Sequence, residues 1–236
     1  MSSTDPASTP ARHVLLVADG DVAPRTLLDE AWPGWADGVE TVVAADGGLL
    51  RAWKLGLEPA LLVGDLDSLE PADVAAAADT GIEIVRAEVD KDESDAELAA
   101  LEVVRRGATR LTVLGAFGGP RLDHALANVW LLAHPGLAGV DIVLLDARWR
   151  VSLVTAPGPD GGPVRRSLPG RVGGLVSLFP HGGDVEGITT DGLRYPLRDE
   201  PLRVGPARGL SNVRDAVDAS VTVRAGRLLV VETAAR

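Results

Sequence analysis

From His13 to about Asp146, short runs of Val, Leu, Ile and Ala alternate with longer amphipathic segments. That rhythm predicts βαβ units around a parallel sheet. The runs at 14–18, 41–45, 60–63, 82–85, 111–114 and 142–145 are almost wholly apolar, as strands buried on both faces require. Three helices carry their own signals. Ser94 precedes Glu97 by three residues in a capping box, and Leu98, Leu101 and Val104 then form one apolar face before Gly107 ends it. A second helix follows Pro120, with Leu122, Leu126, Val129 and Leu132 at helical spacing, and a third begins at Gly47-Gly48 and stops near Gly56.

After Trp149 the texture changes. Short β-like runs at 151–155, 175–179, 221–224 and 228–232 are divided by glycine and proline, which predicts a smaller all-β domain, a sandwich or a barrel. The stretch Pro-Gly-Pro-Asp-Gly-Gly-Pro at 157–163 can continue neither a helix nor a central strand, so it is a loop. The expected organisation is a disordered tail over 1–12, an α/β nucleotide-binding catalytic domain over 13–148, and a β-domain over 149–236 for substrate binding and dimerisation. Trp130 and Trp149 are read as core residues.

Composition narrows the function classes. A net charge of −11 over 236 residues repels polyanions, and the basic pairs Arg105-Arg106 and Arg165-Arg166 make no concentrated patch, so no nucleic-acid partner is expected. No run approaches the roughly 20 apolar residues of a membrane span, and the first residues lack a secretory pattern. Cysteine is absent, which excludes disulfides and thiolate metal sites; the cytoplasm is the default compartment. The excess of acids favours cations, and a small phosphate ligand can be carried by metal and backbone N–H groups.

In an open parallel sheet, ligands bind beyond the carboxyl ends of the strands. Three strand ends there are polar: Asp46-Gly47-Gly48, Gly64-Asp65-Leu66-Asp67-Ser68, and Gly115 through Gly118, Gly119, Pro120 and Arg121. Asp65 and Asp67, one residue apart, would point the same way in extended backbone and grip one hard cation, for which magnesium is suited. Asp46 precedes two glycines and a helix, where exposed N–H groups can meet an anion. The charged loop Asp90-Lys91-Asp92-Glu93-Ser94-Asp95 offers a flexible ammonium at Lys91 and places Asp95 at a helix start. Arg121 can grip phosphate with both arms, beside Asp123 and His124. Each motif alone is equally readable as turn or cap chemistry. Together they suggest a magnesium–nucleotide cleft. No Walker loop, dinucleotide fingerprint, nucleophile elbow or zinc-spaced histidine pair is present.

In this order, Ala45-Asp46-Gly47-Gly48, Gly64-Asp65-Leu66-Asp67-Ser68, the 90–95 loop, 119–128 and Gly209-Leu210-Ser211-Asn212, the motifs resemble those of the thiamine pyrophosphokinase family. The resemblance covers nearly all of the chain beyond the tail. It implies an α/β domain followed by a β-domain, a homodimer, and conversion of ATP and thiamine to AMP and thiamine diphosphate with Mg2+. It assigns Asp46, Asp65, Asp67 and Asp95 to the metal and catalytic site. Gly47, Gly48, Lys91, Gly118, Gly119, Arg121, Asp123 and His124 would border the nucleotide, and Ser211 and Asn212 would help bind thiamine across the dimer interface. Two departures stand out: Pro120 is inserted before Arg121 in the family's Gly-Gly-Arg-x-Asp-His, and Ser94 replaces a usual threonine. The competing expectations are the same transfer to another primary alcohol, such as a pterin methanol, or a non-catalytic module that holds Mg-nucleotide.

Overall fold

Each apolar run of the first half becomes a strand. The computed structural model describes residues 12–235, and in it β1 (His13–Val17), β2 (Val39–Ala45), β3 (Leu61–Gly64), β4 (Glu83–Arg86), β5 (Arg110–Leu114) and β6 (Asp141–Leu145) pair in parallel, in the order β6-β5-β1-β2-β3-β4. The chain steps outward from β1 to β4, then returns to the other side of β1. The loops after β1 and β5 therefore part in opposite directions, which opens a crevice at their carboxyl ends.

Five helices connect these strands: α1 (Arg25–Ala31), α2 (Gly48–Lys54), α3 (Pro71–Asp79), α4 (Asp95–Arg105) and α5 (Leu122–Leu131). α4 starts where the capping box predicts, with Ser94 Oγ accepting from the Glu97 N–H at 3.2 Å. Glu97 does not close the box; its carboxylate lies 3.4 Å from His134 Nε2. One sheet face, with Leu16, Val113 and Leu144, packs on Ala99 and Val103 of α4 and Leu131 of α5. The other, with Leu15, Val17, Val143 and Leu145, packs on Leu28, Trp32 and Trp35. α1 and α3 had no sequence signal because neither has a side-chain cap, and each buries a single residue, Leu28 and Ala77 respectively.

α5 departs from expectation. Leu122 is 74% exposed, Leu126 43% and Trp130 59%, so the first two residues of the spaced set face outward, and Trp130 is not a core residue. The helix packs through Val129 and Leu132 of that set and through Leu131. Trp149 is partly buried, its ring edge-on to Phe117 at 6.0 Å between centroids.

The second half contains β7 (Trp149–Ala156), β8 (Val164–Pro169), β9 (Leu175–Pro180), β10 (Val185–Asp191), β11 (Glu200–Leu202), β12 (Asn212–Val213), β13 (Asp218–Val223) and β14 (Gly226–Thr233). β7 pairs antiparallel with β6, and β14, β9 and β12 follow, so the sheet runs unbroken through ten strands. A four-stranded sheet, β11-β10-β13-β8, packs over this antiparallel half around Val154, Leu168, Leu178, Ile188, Val221 and Leu228. The sandwich is present, and one of its leaves is continuous with the catalytic sheet. Of the tail expected over 1–12, only Arg12 lies within the described residues; its carbonyl accepts from the N–H groups of Thr109 and Arg110. Among the described residues no helix is long and apolar enough to cross a membrane.

A buried ionic cluster fastens the two sheets. Glu232 on β14 accepts two 2.7 Å hydrogen bonds from Arg150 on β7 and one of 2.6 Å from Arg214, which also donates to the Leu168 carbonyl of β8. The Glu232 and Arg214 side chains are each 3% exposed. Removing one partner of such a cluster strands the other charge out of water, at a cost of about 3–5 kcal/mol. Glu232→Ala is therefore expected to lose about that much stability in urea unfolding; a loss under about 1 kcal/mol would show that the cluster does not join the sheets.

Candidate active site

The crevice side of the sheet gathers acids from two strand ends and one helix start. Asp46 follows β2, Asp65 and Asp67 follow β3, and Asp95 opens α4 beside them. Asp46 sits in left-handed backbone, φ 46°, and donates its N–H to the Val63 carbonyl at 2.9 Å, which turns its side chain inward over β3. Ligand oxygens of Asp46, Asp65 and Asp67 all lie within 4.8 Å of one another.

The route by which Asp65 and Asp67 converge differs from the extended backbone expected of them. Leu66 is left-handed, φ 68°, with its side chain buried, and the Asp67 N–H donates to Asp65 Oδ1 at 3.1 Å. The segment is thus a tight turn closed by its own carboxylate. The turn brings the two acids together because Leu66 is drawn into the core beneath them.

Lys91 is the cation of this cluster. Its Nζ lies 2.5 Å from Asp65 Oδ2 and 3.0 Å from Asp95 Oδ1, and its side chain is 12% exposed. Asp95 Oδ1 also accepts the Asp65 N–H at 3.3 Å. Asp95 therefore reaches the cluster through Lys91 and Asp65, while Asp46, Asp65 and Asp67 are the three that face one another. The hydrogen bond from Lys91 holds the Asp65 carboxyl below the usual range. Burial favours a neutral amine at Lys91, but its bonds to Asp65 and Asp95 outweigh this and raise its pKa. Asp46 moves the other way. Burial pushes its carboxyl up, against hydrogen bonds from Ser68 and Gly47, with Asp95 and Asp67 adding to the rise.

These features fit a hard divalent cation. Asp46 Oδ1 is buried with no hydrogen-bond partner, and a carboxylate oxygen in that state is costly unless something positive meets it. Three converging carboxylates supply the oxygen donors that hard divalent cations such as magnesium, calcium or manganese take.

The glycine motifs serve close packing. A Cβ on Gly48 would fall 2.0 Å from the Val17 carbonyl and one on Gly47 would fall 2.5 Å from Asp19, so α2 can start only with glycines against the end of β1. Gly118, φ 83°, and Gly119, φ 73°, form a turn anchored to the loop after β1. The Gly119 N–H donates to Asp21 Oδ2 at 3.2 Å, and the Asp21 N–H donates to the Phe117 carbonyl at 2.8 Å. Asp19 and Asp21 were missed from the sequence. The strand-end rule that selected Asp46 and Asp65 applies equally to Ala18-Asp19-Gly20-Asp21 and would have found them.

Beyond Pro120, Arg121 donates to Asp123 at 2.5 Å and 3.0 Å. This pair holds the Asp123 carboxyl down at about 2. Both side chains and His124 are exposed, and none contacts the acidic cluster. In the β-domain, Gly209 packs on β9, where a Cβ would fall 2.1 Å from the Leu178 carbonyl. Ser211 is exposed in left-handed backbone, φ 57°, and its N–H donates to Ser177 Oγ at 3.0 Å. The Asn212 amide is committed to backbone, accepting from the Tyr195 N–H at 3.0 Å and donating to the Tyr195 carbonyl at 2.7 Å.

Comparison with known proteins gives a consistent result. Two family models match: thiamin pyrophosphokinase, catalytic domain, over 35–144, and thiamin pyrophosphokinase, vitamin B1 binding domain, over 167–228. The chain is similar to the thiamine pyrophosphokinase of Bacillus subtilis, 25% identical over 204 residues, covering 85% of this chain and 89% of that one. It is also similar to thiamine pyrophosphokinase 1 of Oryza sativa subsp. japonica, 27% identical over 201 residues, covering 76% of this chain and 74% of the relative. A solved thiamin pyrophosphokinase family protein from Enterococcus faecalis matches with a TM-score of 0.75 at 27% identity, over 96% of this chain and all (100%) of that one. The solved Bacillus subtilis enzyme matches in fold with a TM-score of 0.79 at 21% identity, over 95% and 100%.

Gly64 sets the approach of the acids, since a Cβ there would lie 3.1 Å from both Asp46 Cβ and Asp95 Oδ1. Gly64→Ala is expected to weaken Mg2+ binding by about tenfold or more, as disturbing the support of a metal ligand does, with the circular dichroism spectrum unchanged. Isothermal titration checks this, and an affinity within about twofold of the wild type would mean that this close approach does not hold the acids in place.

Proposed function

The chain belongs to the thiamine pyrophosphokinase family, and from that premise we propose that it transfers the diphosphoryl group of ATP to the primary hydroxyl of thiamine, yielding thiamine diphosphate and AMP. The observation that carries the reading is the convergence of Asp46, Asp65 and Asp67 beside Lys91, within the segment that matches the catalytic-domain model. The hydroxyl oxygen bonds to the β-phosphorus, the bond from that phosphorus to the bridging oxygen of the α-phosphate breaks, and AMP leaves with that oxygen. The hydroxyl proton passes to a carboxylate, for which Asp67 and Asp95 are the candidates. Asp67 is the more exposed of the two, and Asp95 already accepts from Lys91 and Asp65.

Asp46, Asp65 and Asp67 would hold Mg2+, which supplies positive charge to the phosphate oxygens and lets them approach an acidic site. Lys91, kept cationic by its two carboxylates, adds charge at the same edge. Gly47, Gly48, Gly118 and Gly119 would border the nucleotide, where the lack of side chains lets its phosphates come close to the backbone. Arg121, Asp123 and His124, exposed in the free chain, would border its phosphates. In the β-domain, Ser211 offers an exposed hydroxyl to thiamine, and Asn212 holds the 195 segment beside it. A homodimer would bring the two domains' halves of the site together across subunits. The cytoplasm, where ATP is abundant, is the compartment this activity needs.

Incubation with ATP, Mg2+ and thiamine, with products separated by chromatography, tests the reading. AMP and thiamine diphosphate are expected in equal amounts, and Asp65→Asn is expected to lower turnover by about 100-fold or more. ADP in place of AMP would mark an ordinary kinase. AMP formed only with a pterin alcohol would change the acceptor, and nucleotide binding without turnover would leave a non-catalytic module.

A further inference from the structure

Away from the acidic strand ends, a cavity of about 570 Å³ lies against the sheet face that carries Thr112, Val143 and Leu145. On this face Val143 and Leu145 of β6 cluster with Leu28 of α1 and with Trp32 and Trp35. The turn at 32–35 closes one side and β8 the other, so the space lies between the α/β half and the small sheet. Its volume falls within the range of small-molecule sites. The cavity is separated from β2 and β3, which carry the acids, by β5 and β1.

The lining is out of character with the molecule. In a chain of net charge −11, Arg110, Arg150, Arg165 and Arg166 face only Asp141 and Glu232, an excess of two positive charges. Two of the arginines are committed: Arg150 to Glu232 at 2.7 Å and Arg166 to Asp141 at 2.8 Å. Arg110, at the start of β5, and Arg165, on β8, are exposed and form no ion pair among the described residues. His13, whose Nε2 lies 2.9 Å from Thr112 Oγ1, titrates below its ordinary value, first from burial and then from Arg110. Trp32, Pro33 and Trp35 form an apolar wall of the cavity, with the Arg150 guanidinium 4.8 Å from the Trp32 ring centroid.

We propose that this cavity is a second ligand site, for a small organic phosphate. Two uncommitted guanidinium groups on separate elements match a doubly charged oxyanion, since phosphate carries a charge for each and enough oxygens to meet both planar forks. The wall at 32–35 takes the organic part of the ligand. Ligand bridging β5 and β8 would clamp the small sheet against the α/β half, so occupancy would stiffen the contact between the two halves. This inference rests on the cavity alone and does not depend on the reaction proposed above.

Isothermal titration in the presence of EDTA tests it, with AMP and inorganic pyrophosphate as probes and adenosine as the uncharged control. Both phosphates are expected to bind and adenosine to fail. The double variant Arg110→Gln/Arg165→Gln is expected to weaken binding at least about tenfold, the single Arg165→Gln by less, while Asp65→Asn leaves affinity unchanged. Both altered side chains are exposed, and an unchanged urea midpoint confirms that the variants fold. Binding that is absent, that is lost in Asp65→Asn, or that survives the double variant unaltered would overturn the proposal. Pyrophosphokinase turnover measured on the same double variant separates the two readings: the site is supported when phosphate binding falls and turnover stays at the wild-type level.

Discussion

Like charges packed together destabilise a fold unless something of opposite sign joins them, and the crevice edge of this sheet holds four carboxylates around one ammonium. Lys91 compensates Asp65 and Asp95 directly. Asp46 receives no such help: it is buried and one oxygen has no partner, and burial raises its carboxyl pKa. The arrangement is therefore electrostatically incomplete as a protein alone, and complete with a divalent cation among Asp46, Asp65 and Asp67. The remaining features of the site, its glycines and its left-handed residues, exist to let that convergence happen.

The sheet order determines why those acids meet. Strands β1 to β4 advance in one direction, so the ends of β2 and β3 are neighbours, and α4 returns across them with Asp95 in its first turn. Gly64 leaves room for Asp46 and Asp95 to approach, and Gly47 and Gly48 let α2 start against β1. On the other side of β1, Asp21 ties the 118–119 turn to the loop after β1, so both walls of the crevice hang from the same central strand. The second half is joined to this frame through the continuous sheet and through Glu232 with its two arginines, which fixes where the β-domain presents Ser211.

Much of this was legible in the residues. Fully buried parallel strands are unbroken apolar runs, and all six were found, as were the capped α4 and the strand ends bearing Asp46 and Asp65. What escaped has physical reasons. α1 and α3 bury one side chain each, too little to leave a period in the sequence. β11 and β12 are only 3 and 2 residues long, β10 shifts register against β11, and β8 is an edge strand with two arginines and a single buried residue. Spacing marks one face of α5 as apolar but does not say how much of it a neighbour covers, so Leu122 and Leu126 lie exposed while Val129 and Leu132 pack, and Trp130 was assigned to a core that it does not enter. The turn at Leu66 was invisible because left-handed backbone at a leucine is held by tertiary burial, and Asp19 and Asp21 were overlooked where the strand-end rule already pointed.

Diffraction from crystals grown with Mn2+, recorded for its anomalous signal, tests the central claim most directly. The account predicts one strong peak bounded by carboxylate oxygens of Asp46, Asp65 and Asp67, lost in Asp46→Asn. A peak elsewhere with none among these three residues, or Asp46 Oδ1 met by a protein hydrogen bond in place of the metal, would contradict it.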